Sequence, residues 1–270
     1  MKKYLLASFI GGLCAATFSV QAQQKQGVVH YDRTSQIQIS FQGMPGGMEQ
    51  QMPKSRTDKF DLTFGNNQSL WKQAEPDGKE ENSFGGDGMH MQMIVAGSND
   101  VLYSNFETGK RTEKREMFEK TFIIDDTLGK LKWKMTGETK TILGMPCMKA
   151  TTTTMRTRTT MNMDNGKMER KEIQDTSNII AWFTSSIPVS AGPAEYQGQL
   201  PGLILEMDIK NGTQVFKATG ISEKADLAVI KEPTGKKHYT ADEFKKERDK
   251  MLEEMSRNNQ GGGQRMIRIN

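Results

Sequence analysis

Methionine and histidine are the side chains of this sequence best suited to chemistry, and they gather in three places. Met89, His90, Met91 and Met93 lie in "GGDGMHMQM" (residues 85–93), just after a glycine-rich stretch. Met44, Met48 and Met52 lie in "GMPGGMEQQMP", and Met161, Met163 and Met168 flank Asn165-Gly166. These groups hold nine of the 19 methionines. Thioether sulfur is a soft donor that selects Cu(I) over harder ions. The three groups, with His90, are therefore candidate Cu(I) ligands, and no other cofactor is indicated. Two other roles fit the same residues: reversible oxidation to the sulfoxide, and ordinary packing, since methionine fills irregular gaps.

Geometry limits each group. If residues 89–95 form a strand, Met89, Met91, Met93 and Val95 share one face while His90, Gln92 and Ile94 share the other. Successive sulfur-bearing residues are then roughly 6.5–7 Å apart at Cα, and His90 points away from them. A site that uses His90 together with the methionines needs a loop. Met44, Met48 and Met52 have helical spacing, but Pro45, Gly46, Gly47 and Pro53 argue against a helix. Across an Asn165-Gly166 turn, Asp164 faces Lys167 and Met163 faces Met168, with Met161 on the same face.

The elements that must carry these residues are short alternating strands and turns. "VVHYDRTSQIQISF" (28–41) alternates around Ile37, Ile39 and Phe41. "KFDLTF" and "SLWKQ" flank "GNNQ", and "VLYSNF" and "RTEKREMFEKTFII" flank "ETGK", each as a hairpin. "KLKWKM" and "ETKTIL" flank Thr136-Gly137, which reads as another, and Asn211-Gly212 marks a further turn. The threonine run after Lys149 favours strand, because β-branching suits the pleat. "TADEFKKERDKMLEEM" is the one clear helix. It opens on a Thr240/Glu243 capping box and carries Ala241, Phe244, Met251, Leu252 and Met255 as its apolar stripe. The expected fold is mainly β: an antiparallel meander or curved, half-barrel-like sheet with one C-terminal α-helix at about 240–257. Residues 23–257 form a single domain in this reading, and 258–270 a glycine-rich flexible tail.

Residues 1–22 have the form of a secretory signal peptide. Lys2 and Lys3 precede an apolar stretch, and Val20-Gln21-Ala22 fits a small-x-small cleavage site. Leu13 stands before Cys14 where a lipoprotein signal needs a small residue. Cleavage near Ala22 predicts a periplasmic or secreted protein, and no later apolar run is long enough to span a bilayer. Cys147 then remains as the lone thiol, read as a buried core residue with metal or redox chemistry as its alternative. A net charge of +4 is far from the footprint of a nucleic-acid binder. His30, His90 and His238 are scattered, with no zinc-ligand spacing. Asp125-Asp126 reads as a turn at a strand end. No Gly-x-Ser-x-Gly elbow, phosphate loop or dinucleotide fingerprint occurs, so a non-enzymatic role is expected.

Residues 181–209, "AWFTSSIPVSAGPAEYQGQLPGLILEMDI", resemble the GLPGLI family of secreted bacterial proteins. The matching residues are Trp182, Ile187-Pro188, Gly192, Pro193, Tyr196 and the run Leu200, Pro201, Gly202, Leu203, Ile204. Trp133, Gly144, Cys147 and Ala150 upstream follow the same order. The sequence departs from the hexapeptide at its first glycine, which is Gln199 here, with Gly198 one place earlier. The resemblance implies a secreted β protein and carries no activity or catalytic residue. The motif itself reads as structure. Pro193 and Pro201 bias the preceding residue toward extended backbone, and Gly198 and Gly202 permit tight turns or close approach.

Three binding roles remain, and each predicts something different. A carrier of an apolar envelope ligand needs a continuous apolar cavity under the helix, on the concave face of the sheet. A copper protein needs several sulfurs within about 4–5 Å of one point. A module for a partner protein needs an exposed apolar patch. An apolar ligand or partner protein is the first expectation and Cu(I) the second.

Overall fold

The computed structural model describes residues 25–37, 54–75, 83–84, 91–92, 100–164 and 167–258; for 83–84, 91–92, 156–173 and 255–258 it describes the backbone. Twelve strands form one open sheet. They are β1 (Gly27–Gln36), β2 (Ser55–Gly65), β3 (Gln68–Gln73), β6 (Val101–Asn105), β7 (Lys110–Met117), β8 (Lys120–Thr127), β9 (Lys134–Ile142), β10 (Met145–Asp164), β11 (Lys167–Thr184), β12 (Leu203–Ile209), β13 (Gln214–Ser222) and β14 (His238–Thr240). A separate pair, β4 (Ser83–Phe84) and β5 (Met91–Gln92), stands outside it. The one α-helix, α1, spans Ala241–Asn258. None among the described residues is long and apolar enough to cross a membrane.

The local turn signals hold. Asn66 and Asn67 close β2–β3 at φ 50° and 58°, and Asn211 and Gly212 sit in the β12–β13 turn at positive φ. The β10–β11 register places Asp164 opposite Lys167 and Met163 opposite Met168. Thr240 and Glu243 make the capping box: the Glu243 carboxylate accepts from Thr240 N at 2.8 Å, and Thr240 Oγ1 accepts from Glu243 N at 3.2 Å.

Two expectations are corrected. Thr136-Gly137 is no hairpin turn. It lies inside β9, with Gly137 at φ 80°, and the β9–β10 register shifts between Met148 and Ala150 so that residues 136–138 stand against Lys149 alone, a bulge. The hairpin closes instead at Leu143-Gly144, both at positive φ. Asp125 and Asp126 belong to β8, not to a turn.

Strand order explains the shape. β1 lies centrally, between β2 and β13, while β14 and β9 form the two edges. The chain passes from β8, next to one edge, to β9 at the other through residues 128–133 alone. Ten inter-strand steps of a flat sheet would measure roughly 48 Å. The seven Cα steps from Thr127 to Lys134 reach about 25 Å at most. The sheet must therefore curl, and residues 128–133 form a strap between its two sides.

The curled face is filled by the chain itself. Val29, Tyr31, Leu62, Trp71, Phe183 and Phe216 are buried from the strands. Ile187, Tyr196 and Leu200 are buried against them from the β11–β12 connection, and Leu131 and Trp133 pack on them from the strap. Trp71 stacks on Phe60 at 4.8 Å with 9° between planes, worth about 1 kcal/mol beyond its area. The helix makes a smaller cluster, Phe244 and Met251 resting on Phe122 and Ile124 of β8.

Candidate functional site

Two features of the described chain are available to other molecules: an overhanging hairpin with the open edge beside it, and the rim from which the hairpin leaves. The last β9–β10 rung is Thr151 opposite Lys134, and the last β11–β12 rung is Ile179 opposite Ile209. Lys210 N adds a hydrogen bond to Asn178 O at 2.8 Å. Beyond these points residues 154–164 and 167–177 pair, among the described residues, only with each other. They form a two-stranded arm roughly 35 Å long. Below the arm, β9 is an exposed edge strand. Met135, Leu143, Met148 and Met155 are four of the five exposed large hydrophobic residues among those described, and all lie on β9, β10 or their turn; Met155 is 75% exposed.

The motif stretch serves the interior. Pro193, with ψ 144°, leads into a single 3-10 turn over Ala194–Tyr196. Gly198 stands at φ 73°, where only glycine is unstrained. A Cβ at Gly202 would lie 2.2 Å from the Thr184 carbonyl oxygen, and one at Gly192 would lie 2.7 Å from Ile204 Cδ1. Leu200, Leu203 and Ile204 are buried, and Tyr196 lies beneath them. These residues fold the β11–β12 connection onto the curled face, as their glycines and prolines imply.

Gln197 was not singled out by the sequence, and Gln199 only as a departure from the hexapeptide, yet both are central. Gln197 is fully buried; it accepts from Ser69 Oγ on β3, and its amide donates to Ala194 O at 3.2 Å. Gln199, at the departure from the family pattern, holds the strap. Its Oε1 accepts from Leu131 N at 3.0 Å and from Trp133 Nε1 at 3.3 Å, while its Nε2 donates to Gly129 O. On the other side of the strap, Thr152 Oγ1 donates to Lys132 O at 2.9 Å. A glutamine inside a Gly/Pro motif was the available signal, but its partners are some 66–70 residues away.

The candidate metal ligands are placed unevenly. Met44, Met48, Met52, Met89, His90 and Met93 lie outside the described residues. Met91 begins β5 opposite Phe84, in extended backbone. Met161, Met163 and Met168 stand near the tip of the arm, Met163 directly opposite Met168 and Met161 two residues back on the same strand. Strand directions also put the exits and returns of segments 38–53 and 76–99 at the end of the sheet from which the arm projects. Among the described residues no three His, Cys, Asp or Glu side chains group so as to hold a metal ion.

The remaining titratable groups are engaged structurally. Cys147 is fully buried, and burial pushes its thiol pKa up, the direction opposite to a reactive thiolate. His30 Nδ1 meets Asp61 Oδ1 at 2.7 Å on the outside of the sheet. His238 Nδ1 meets Asp125 Oδ2 at 2.7 Å. Asp58, buried, holds both Arg33 at 2.9 Å and Arg56 at 2.6 Å, and Arg33 lies over the Phe60 ring at 4.5 Å. That cluster braces β1 against β2.

Fold and site thus define an open, self-filled, mostly antiparallel sheet with a projecting hairpin; among the described strands only the β14–β8 pair is parallel. A family model described as "Protein of unknown function (Porph_ging)" matches residues 133–206. The match contains the positions from Trp133 to Ile204 on which the GLPGLI resemblance rests. No curated protein matches. A solved structure titled "Structure of PNGF-II in C2 space group" is similar over 80% of this chain and 30% of that chain, at 20% identity and a TM-score of 0.46. The chain therefore spans less than a third of that protein's length.

Proposed function

We propose that this is an exported, non-enzymatic binding module that engages a partner protein through the β10–β11 arm and the open β9 edge. One observation carries the reading: residues 154–164 and 167–177 form a ribbon with no third strand among the described residues. An isolated two-stranded hairpin is marginal in water, and its free backbone groups are a template for strand addition. Exposed Met135, Met148 and Met155 add apolar surface beside it. An apolar ligand is less well supported, because Leu131, Trp133, Ile187 and Leu200 occupy the curled face and Phe244 rests directly on the sheet.

Photo-crosslinking in cells tests the reading. A crosslinkable residue at Thr157 or Thr159 is expected to give one discrete adduct. The same residue at Lys217, on a central strand, is the control. Identical adducts from both positions, or none from the arm, would reject arm-mediated binding.

A second reading is Cu(I) binding at the arm tip. It is favoured by the Met163–Met168 pair with Met161 behind it, at the end of the sheet where segments 38–53 and 76–99 are rooted. An anaerobic Cu(I) competition titration tests it, with Met161, Met163 and Met168 replaced by leucine. Stoichiometric binding lost in that variant supports it; binding unchanged by the replacement excludes the arm tip.

A further inference from the structure

We propose that the groove at the root of the arm is a binding site for an oxyanion, a phosphate or carboxylate group carried by a small ligand. The groove is open, has a volume of about 480 Å³, and is lined by Lys132, Lys134 and Asn211 of the β12–β13 turn. Residues 151–153 of β10 and 178–180 at the root of β11 also line it. Its volume lies within the range of small-molecule sites.

Charge accounting singles it out. The neighbouring lysines are neutralised: Lys140 by Glu206 at 2.8 Å, Lys149 by Glu138 at 2.9 Å, and Lys210 by Asp175 at 2.7 Å. Among the described residues, Lys132 and Lys134 meet no carboxylate and no acidic residue lines the groove. The polar groups there are otherwise biased toward donation. Asn178 Oδ1 already accepts from Thr153 Oγ1 at 3.1 Å, which leaves its NH2 free to donate. Two ammonium groups and side-chain amides without a carboxylate are the donor set of an anion site.

The wall is also held in place. The strap has no regular secondary structure, yet the backbone around Lys132 is fixed at three points. Leu131 N and Trp133 Nε1 donate to Gln199, and Lys132 O accepts from Thr152. A cation presented on fixed backbone loses less entropy on binding than one on a free loop. Gln199 is thus a positioning residue for this groove, which gives its place in the motif a use beyond packing.

The test is an NMR titration of the protein without residues 1–22, using inorganic phosphate, glucose 6-phosphate and glucose. Saturable shifts are expected at millimolar phosphate in the side-chain amides of Asn178 and Asn211 and the backbone of Thr152 and Thr153. Glucose should produce none. Equal affinity for the two phosphates marks the oxyanion alone as the ligand, and tighter glucose 6-phosphate marks a phosphosugar. Lys132→Gln with Lys134→Gln should weaken binding at least about tenfold, as expected for loss of charge-assisted contacts. Lys132→Arg with Lys134→Arg should keep it, and so should Lys149→Gln, which removes a neutralised lysine. Gln199→Gly should weaken it while the other amide shifts persist. Shifts spread evenly over exposed lysines, or a double glutamine variant that titrates like the parent, would overturn the proposal. Neither outcome bears on crosslinking from the arm.

Discussion

The phenol of Tyr31, in the central strand, donates a 2.5 Å hydrogen bond to the carbonyl of Ile204, at the end of the motif. Tyr31 is buried, and burial alone raises its pKa far above the ordinary tyrosine value. Tyr31→Phe should cost about 1–3 kcal/mol in urea unfolding, because the Ile204 carbonyl loses its partner in a dry site. Alkali should unfold the parent for the same reason. A group whose folded pKa is raised favours the folded state fully below its unfolded pKa, and that contribution fades as pH rises beyond about 10. The variant should show a shallower loss of stability in that range; an unchanged alkaline slope would remove Tyr31 as its source.

Gly202 and Gly192 separate two kinds of close approach. The wall facing Gly202 is the backbone carbonyl of Thr184, whereas the nearest atom facing Gly192 is the flexible end of Ile204. Gly202→Ala should therefore destabilise by more than about 3 kcal/mol or prevent folding, and Gly192→Ala by roughly 1–2 kcal/mol. Thermal melts of the two variants, compared with Gly129→Ala in open space, check the order.

Acid should release the C-terminal unit first. Glu232 accepts from Lys110 at 2.6 Å and from Thr112 at 2.9 Å, and the Lys110 bond leads in holding its pKa below the carboxylate norm. Burial opposes ionisation of Asp125, but hydrogen bonds from His238 and Thr112 outweigh it, so its pKa is also lowered. Depressed carboxylates contribute stability above their unfolded pKa, near 4, and lose it as pH falls through the lower folded value. Both groups are partly exposed, so the effect is modest and screened by salt. Hydrogen exchange of β14 and the start of α1 should accelerate below about pH 4 before that of β1. Glu232→Gln should bring the acceleration to higher pH.

The arm should exchange its amides faster than the sheet. Among the described residues, 154–164 pair on one side only, so fewer hydrogen bonds hold each of them than hold a residue of a central strand. Protection in the unliganded protein should drop at Thr152, where β9 stops. A bound partner strand should restore it over the same residues. Protection of the free arm equal to that of β1 would show that it is already covered.

The two-residue turns were legible because they are local. Asn66-Asn67, Asn211-Gly212 and the Thr240/Glu243 cap each depend on backbone angles or partners within three residues. The β7–β8 turn was not, since Phe118 and Glu119 occupy positive φ without glycine or asparagine. Gly137 was misread because a bulge and a turn ask the same positive φ of glycine; only the strand across from it distinguishes them. For the candidate site, the sequence supplied the Met163–Met168 register and the structural use of Gly202, both set by neighbours along the chain. It could not supply Gln199 on Trp133, the strap joining opposite sides of a curled sheet, or the two lysines gathered at the arm root. Those follow from which strands lie side by side. That choice is made by burial of Tyr31, Trp71 and Phe216 against one another, residues separated by up to 185 positions. Strand propensity and turn chemistry end at the hairpin; the curl, the filled interior and the overhanging arm belong to the tertiary fold.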